Sequence, residues 1–221
     1  MAKSTVVESC TCGLEAKPEI WLCPICHAYR KGSQQFTSVT KVIKKLLPAD
    51  YAAVDPTVLE IARLRGVFVD TYFSEWLIDP AAVMDLKTVR EMVEPQFPRD
   101  GEKHSEDVVT RISRLLDWWN ASKMKLKAVQ GIVHSVTDGV AGTFDLGIDA
   151  AILDLKCVSQ LQPNYALQLG AYLEYDTGLR EQTGIIHVTK DKVKLVTYDA
   201  AKCRKQWRSA IAWFRTVEEL S

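Results

Sequence analysis

Residues 140–158 leave this chain little choice of local structure. Gly142-Thr143-Phe144-Asp145-Leu146-Gly147-Ile148 and Ala151-Ile152-Leu153-Asp154-Leu155-Lys156 flank Asp149-Ala150. Both runs alternate with a period of two, the pattern of strands with one buried face. With a turn centred on Asp149-Ala150, Phe144 falls opposite Leu155, Leu146 opposite Leu153 and Ile148 opposite Ala151, an apolar side of a β-hairpin. The same register sets Asp145 opposite Asp154 on the other side, with Lys156 two residues on and pointing the same way. A slip of one residue would turn these charges into the core, so the apolar pattern selects the register.

Opposed carboxylates repel each other. Lys156 can neutralise one charge, and a divalent ion neutralises more. Hard carboxylate oxygens suit Mg²⁺ or Mn²⁺, bound through one or two carboxylates plus phosphate oxygens. Such an ion polarises a scissile phosphate and activates a bound water, and Lys156 stands where it could hold that water. Spacing alone is equally compatible with a surface ion-pair cluster of Asp145, Lys156 and Asp154.

The rest of the chain supplies the frame. Ser38 caps a short helix through Leu47, and Asp55-Pro56 reads as an N-cap and first-turn proline of a helix to about Leu77. Gly66 lies inside that helix at a cost of about 1 kcal/mol, which points to close packing there. A short helix is predicted over 87–92, a loop over 94–104, and a helix from Ser105 or Glu106 to about Ala121. Strands are predicted near 127–136, 140–148 and 151–158, a helix from Pro163 to about Thr177, strands near 183–189 and 192–198, and a helix from Ala200 to about Glu219. The fold class is α/β (α+β), a mixed central sheet flanked by helices.

At 221 residues with 47% hydrophobic side chains, the chain suits one medium domain with a small appendage. Lys+Arg and Asp+Glu balance at 28 each, so nucleic acid would have to be met by local patches such as Lys41/Lys44/Lys45, Lys123/Lys125/Lys127 or Arg204/Lys205/Arg208. No apolar run approaches the roughly 20 residues of a membrane span, and no signal peptide is evident. A cytoplasmic location follows, where cysteines stay thiols or bind metal. Cys10, Cys12, Cys23 and Cys26 form two close pairs before a polar linker-like stretch over 28–36. They suit tetrahedral zinc, with an iron–sulfur cluster or a reduced arm as the alternatives. The expected organisation is a cysteine-rich, zinc-ribbon-like arm over 1–35 and a main domain over 36–221.

Gly142-Thr-Phe-Asp145, Ile152-Leu-Asp154-Leu-Lys156 and Gln168-Leu-Gly-Ala-Tyr172 resemble the PD-(D/E)xK nucleases, specifically the RecB-like group of phage exonucleases and Cas4-like proteins. Arg65-Gly66-Val67-Phe68-Val69-Asp70 resembles that group's R-G-x-x-V-H helix, with Asp70 where the family has a metal-binding histidine. The resemblance covers roughly residues 36–215. It implies a restriction-endonuclease-like core and a Mg²⁺- or Mn²⁺-dependent deoxyribonuclease. The implied substrate is DNA with free ends, in phage-type recombination, repair or processing, and the implied partner is a recombination or replication protein. It also implies metal binding by Asp70, Asp145 and Asp154, water activation by Lys156, and support from Gln168 and Tyr172. Cys157 replaces a common threonine, and Gln130 lies where a glutamate is common. The Cas4-like cysteine spacing is absent, which favours zinc over an iron–sulfur cluster. The substitution at Asp70 motivates a second expectation, a catalytically weakened RecB-like module that binds DNA or protein.

Overall fold

The computed structural model describes residue 12 and residues 17–48 and 53–219. In chain order the elements are β1 (Trp21–Leu22), β2 (Tyr29–Lys31), β3 (Gln34–Ser38), α1 (Val39–Leu46), α2 (Pro56–Ile78), α3 (Leu86–Val93), α4 (Gly101–Ser122), β4 (Leu126–Ser135), β5 (Val140–Ile148), β6 (Ala151–Lys156), α5 (Tyr165–Tyr175), β7 (Gln182–Val188), β8 (Val193–Tyr198) and α6 (Ala200–Glu219). The strands join in one mixed sheet. β1, β2 and β3 form an antiparallel meander, and β3 runs parallel to the start of β5. β4 covers the other edge of β5. β6 pairs antiparallel with the end of β5 and parallel with β7, and β8 closes the far edge.

Helices cover both faces of the sheet. Ile61, Val69 and Phe73 of α2, Val89 of α3 and Ile112 and Leu115 of α4 pack on Leu146, Leu153, Leu155, Ile186 and Val188. On the other face Val42 of α1, Ala171 and Leu173 of α5 and Trp207 and Ile211 of α6 pack on Val133, Val140 and Ile152. β6 serves both cores because successive side chains leave opposite sides of a strand. Local chemistry sets the helix starts: Ser38 Oγ accepts the Lys41 N–H at 3.1 Å, and Asp55 Oδ1 accepts the Thr57 N–H at 2.7 Å ahead of Pro56. Among the described residues no helix is long and apolar enough to cross a membrane.

Four sequence expectations change. The linker-like stretch 28–36 is mostly β2 and β3, whose polar residues sit on the meander while Tyr29 and Phe36 turn inward beside Ala141. Helix α4 starts at Gly101, inside the expected loop. Its start carries no capping signature, because Asp100 adopts φ 48° with no side-chain cap, and a Cβ on Gly101 would lie 2.4 Å from the Glu94 carbonyl oxygen. Phe144 leaves the apolar face expected of the hairpin and packs with Ile152 and Tyr172 on the other. The alternation of β4 and β5 reverses at Gln130 and Asp145, where Gln130 takes φ 52° within its strand.

Gly66 is the fourth. The close packing expected there is absent among the described residues: a Cβ on Gly66 would meet none of them within 4 Å, whereas one on Gly170 would stand 2.2 Å from the Cys203 carbonyl oxygen. Gly170 is what lets α5 and α6 approach. Gly66→Ala should therefore stabilise the fold by about 0.5–1 kcal/mol, and Gly170→Ala should destabilise it by about 1–3 kcal/mol. Chemical denaturation of the two variants checks both signs.

Candidate active site

The site lies where β5 and β6 part. Their ladder holds Gly147–Ile152 and Leu146–Leu153 in the expected register, and then ends. Asp145 and Asp154 do not form the next rung. The Leu155 N–H, which would continue the ladder, is taken by the Asp145 carboxylate at 2.6 Å. Asp145 thus spans the opening gap with its side chain. Gln130 approaches it from β4, its Nε2 donating to Asp145 Oδ1 at 3.5 Å and to Ser74 Oγ of α2 at 3.2 Å.

Asp154 is 2% exposed. A carboxylate that far from water needs partners, and it has two. Lys156 forms an ion pair with its Oδ2, and Gln168 Nε2 donates to its Oδ1 at 3.3 Å. Gln168 also donates to the Tyr172 hydroxyl at 2.7 Å, one helical turn on. The Lys156 ammonium lies 5.3 Å from the centroid of the Tyr165 ring at the start of α5. Space for Tyr172 comes from the first glycine of the strand motif: a Cβ on Gly142 would stand 2.8 Å from the Tyr172 ring.

Asp70 enters from α2, on the opposite helical layer. Burial first, and then the charge of Asp154, push its carboxyl up to about 6 against the pull of Lys156. Asp145 is raised well above the ordinary carboxylate range by burial, then by Asp154 and Asp70, with Lys156 and the Leu155 N–H opposing. Burial pulls the Lys156 ammonium down, but Asp154 and Asp145 outweigh it and the group is held protonated. The sequence-predicted residues Asp70, Asp145, Asp154, Lys156, Gln168 and Tyr172 are thus linked by hydrogen bonds, an ion pair or mutual electrostatic influence.

The donor set fits a hard divalent ion. Asp70 Oδ1 is buried with no hydrogen-bond donor among the described residues, an expensive state for a carboxylate oxygen unless something positive faces it. The three acids raise one another's affinity for positive charge. They are not drawn into the tight cluster that three thiols of this chain form, but Mg²⁺ needs only one or two carboxylates beside water or phosphate oxygens.

Those thiols are Cys12, Cys23 and Cys26, whose sulfurs all lie within 4.8 Å of one another. The turn between the last two has the form of a metal knuckle. The Cys26 N–H points at Cys23 Sγ at 3.5 Å, the His27 N–H bonds the Cys23 carbonyl at 2.9 Å, and His27 takes φ 53° to bring the chain back. Such a cluster could hold zinc. Cys10 lies outside the described residues. One residue of each basic patch is engaged in an ion pair: Lys45 pairs with Glu218, Lys127 with Asp149 and Arg208 with Glu174.

Sequence reasoning missed Ser74, Thr143 and Tyr29. Thr143 sits inside the Gly-x-x-Asp motif, and its Oγ1 lies 2.9 Å from the Tyr29 hydroxyl. Tyr29 belongs to the stretch that reads as a linker, and nothing in its neighbours announces it.

No protein-family model and no curated protein matches the chain. Among solved structures, the "putative exonuclease" of Eubacterium rectale is similar at 18% identity with a TM-score of 0.55, over 80% of this chain and 77% of that one. The alkaline exonuclease of Laribacter hongkongensis aligns over 84% of this chain and 88% of that one at 10% identity, with a TM-score of 0.43. At 18% identity the first of these likenesses is one of fold: the chain shares the mixed α/β fold of that protein.

Proposed function

We propose that the protein is a Mg²⁺- or Mn²⁺-dependent deoxyribonuclease that removes nucleotides from DNA ends, in phage-type recombination, repair or processing. The observation that carries this is the convergence of Asp70, Asp145 and Asp154 with Lys156 at the split between β5 and β6, with the Asp70 Oδ1 oxygen left buried and bare. In this reading Asp70, Asp145 and Asp154 would hold the ion, which would polarise the phosphate and activate water. Lys156, kept protonated by Asp154, orients the attacking water and faces the charge that develops on the phosphate. Gln168 bonds both Asp154 and the Tyr172 hydroxyl and so ties α5 to β6. The arm over 1–35 takes zinc, the domain over 36–221 cuts, and the setting is the cytoplasm, the host's for a phage-encoded chain. A recombination or replication protein is the expected partner.

Lys156→Ala should lower Mg²⁺-dependent degradation of end-labelled linear DNA by roughly 10²-fold or more, measured below the melting temperature of the variant, which loses the partner of a buried carboxylate. Equal rates in both proteins would sink the assignment. DNA that is bound but left uncut under Mg²⁺ and Mn²⁺ hands the function to the second reading, a RecB-like binding module.

Protons compete with the metal for Asp70 and Asp145, both raised. Metal affinity should therefore fall as pH drops through about 6, and Asp70→Asn should flatten that part of the profile. The same variant tests the cost of the bare carboxylate. A raised acid destabilises the fold above its folded pKa and not below its unfolded one. Metal-free Asp70→Asn should then be more stable than wild type by on the order of 2 kcal/mol near pH 8, the gap closing toward pH 4. Thermal melts across that range, with and without Mn²⁺, measure both effects.

A further inference from the structure

The meander that carries the cysteine knuckle is continuous with the sheet that carries the site. β3 pairs with β5 only through Thr37–Val140 and Ser38–Ala141. β6 joins the same edge of β5 only at Leu146 and Gly147. Between them, residues 142–145 have no strand partner on that edge among the described residues. This is the segment that ends in Asp145; β4 pairs with its other edge, and on this edge side chains brace it.

One side chain that does so is Tyr29. It is 8% exposed, packed with Phe36 and Ala141, and its hydroxyl meets Thr143 Oγ1 at 2.9 Å. Thr143 is two residues before Asp145. The Tyr29 phenol also feels the site: burial first raises its pKa, the Thr143 hydrogen bond lowers it, and the Asp145 charge raises it again. On its other side Tyr29 is two residues past His27, where the knuckle turn ends. The Cys23 N–H bonds the Ala28 carbonyl at 2.9 Å, and Leu22 pairs with Tyr29 across β1 and β2. The knuckle therefore sets the start of β2, and β2 sets Tyr29.

We propose that Tyr29 is a positioning residue for Asp145, acting through Thr143, and that zinc on the Cys12–Cys23–Cys26 cluster holds it in place, so that loading of the thiolate site sets the affinity of the carboxylate site for its hard cation. The inference rests on the carboxylate site described above and does not require that the site cut DNA. The two metals divide by donor type: soft thiolates take zinc, and carboxylate oxygens take Mg²⁺ or Mn²⁺.

The test uses the full chain, with zinc measured by elemental analysis and Mn²⁺ affinity by electron paramagnetic resonance. Wild type should hold one zinc. Tyr29→Phe should keep the zinc and the fold yet bind Mn²⁺ roughly threefold to tenfold more weakly, the worth of one ordinary hydrogen bond. Thr143→Val should do the same, and the double variant should be no weaker than either single one. Stripping zinc with a chelator, or by Cys26→Ser, should weaken Mn²⁺ binding in wild type and add little in Tyr29→Phe. A purely structural tyrosine would lower the melting temperature and leave Mn²⁺ affinity alone, and that result overturns the proposal. So does unchanged Mn²⁺ affinity in zinc-stripped wild type, or iron in place of zinc. A wild type that binds Mn²⁺ with this dependence but leaves DNA uncut sinks the nuclease reading and keeps the inference. A wild type that cuts DNA while Tyr29→Phe binds Mn²⁺ normally does the reverse. A wild type that binds no Mn²⁺ overturns both.

Discussion

The hydrogen bond from the Leu155 N–H to the Asp145 carboxylate decides the shape of the site. In an unbroken hairpin that N–H would be satisfied by a main-chain carbonyl, and β5 and β6 would stay in register to their ends. Here a side chain takes the bond. The backbone group remains paired, as a buried N–H must be, yet the strands are released to diverge. β6 then turns to β7, with which it pairs over its whole length, while β5 continues along β4. The gap between them admits groups from both helical layers, Asp70 from α2 and Gln168 from α5. A continuous sheet would keep those two residues on opposite sides of a wall.

Gathering three carboxylates in this gap works against the fold. Each loses water, and each raises the cost of ionising the others. Lys156 offsets part of it, paired with Asp154 at the most buried position, and Gln168 adds a neutral donor. Among the described residues no hydrogen-bond donor reaches Asp70 Oδ1. In the family that the motifs resemble, a histidine stands here and would bring no negative charge. The aspartate adds one, so the site is both more strained without a cation and more attractive to one. An acid in this position and a bare oxygen on it are two views of the same imbalance.

Much of this was legible in the sequence, for physical reasons. A period of two with a two-residue turn fixes which residues can pair, and Leu146–Leu153 and Gly147–Ile152 pair as the apolar pattern requires. Caps such as Ser38 and Asp55 are written in single residues because one side-chain oxygen serves one backbone N–H. Where the reading failed, the cause was not local. The reversal at Asp145 depends on the left-handed backbone of Gln130 in a neighbouring strand, so alternation within β5 alone placed Phe144 on the wrong face. The start of α4 depends on contact between Gly101 and Glu94, not on a cap. Gly66 invited a packing argument that open space refutes. Tyr29 sits in a polar stretch whose strand character comes from pairing with the neighbours it meets in space.

The glycines of the motif strands show how such a site is given room. A Cβ on Gly131 would stand 2.1 Å from the Phe144 ring, and one on Gly147 would stand 2.8 Å from the Arg180 guanidinium. That guanidinium in turn lies 5.6 Å from the centroid of the Phe144 ring and donates to the Ile148 carbonyl at 3.1 Å. Phe144 can therefore change faces only because Gly131 opposite it has no side chain, and Arg180 can brace the hairpin only because Gly147 has none. These absences let bulky groups pack close on both sides of Asp145 along β5. The ladder is broken at one point and the packing around that point is tight, so the gap opens without the surrounding strands becoming loose.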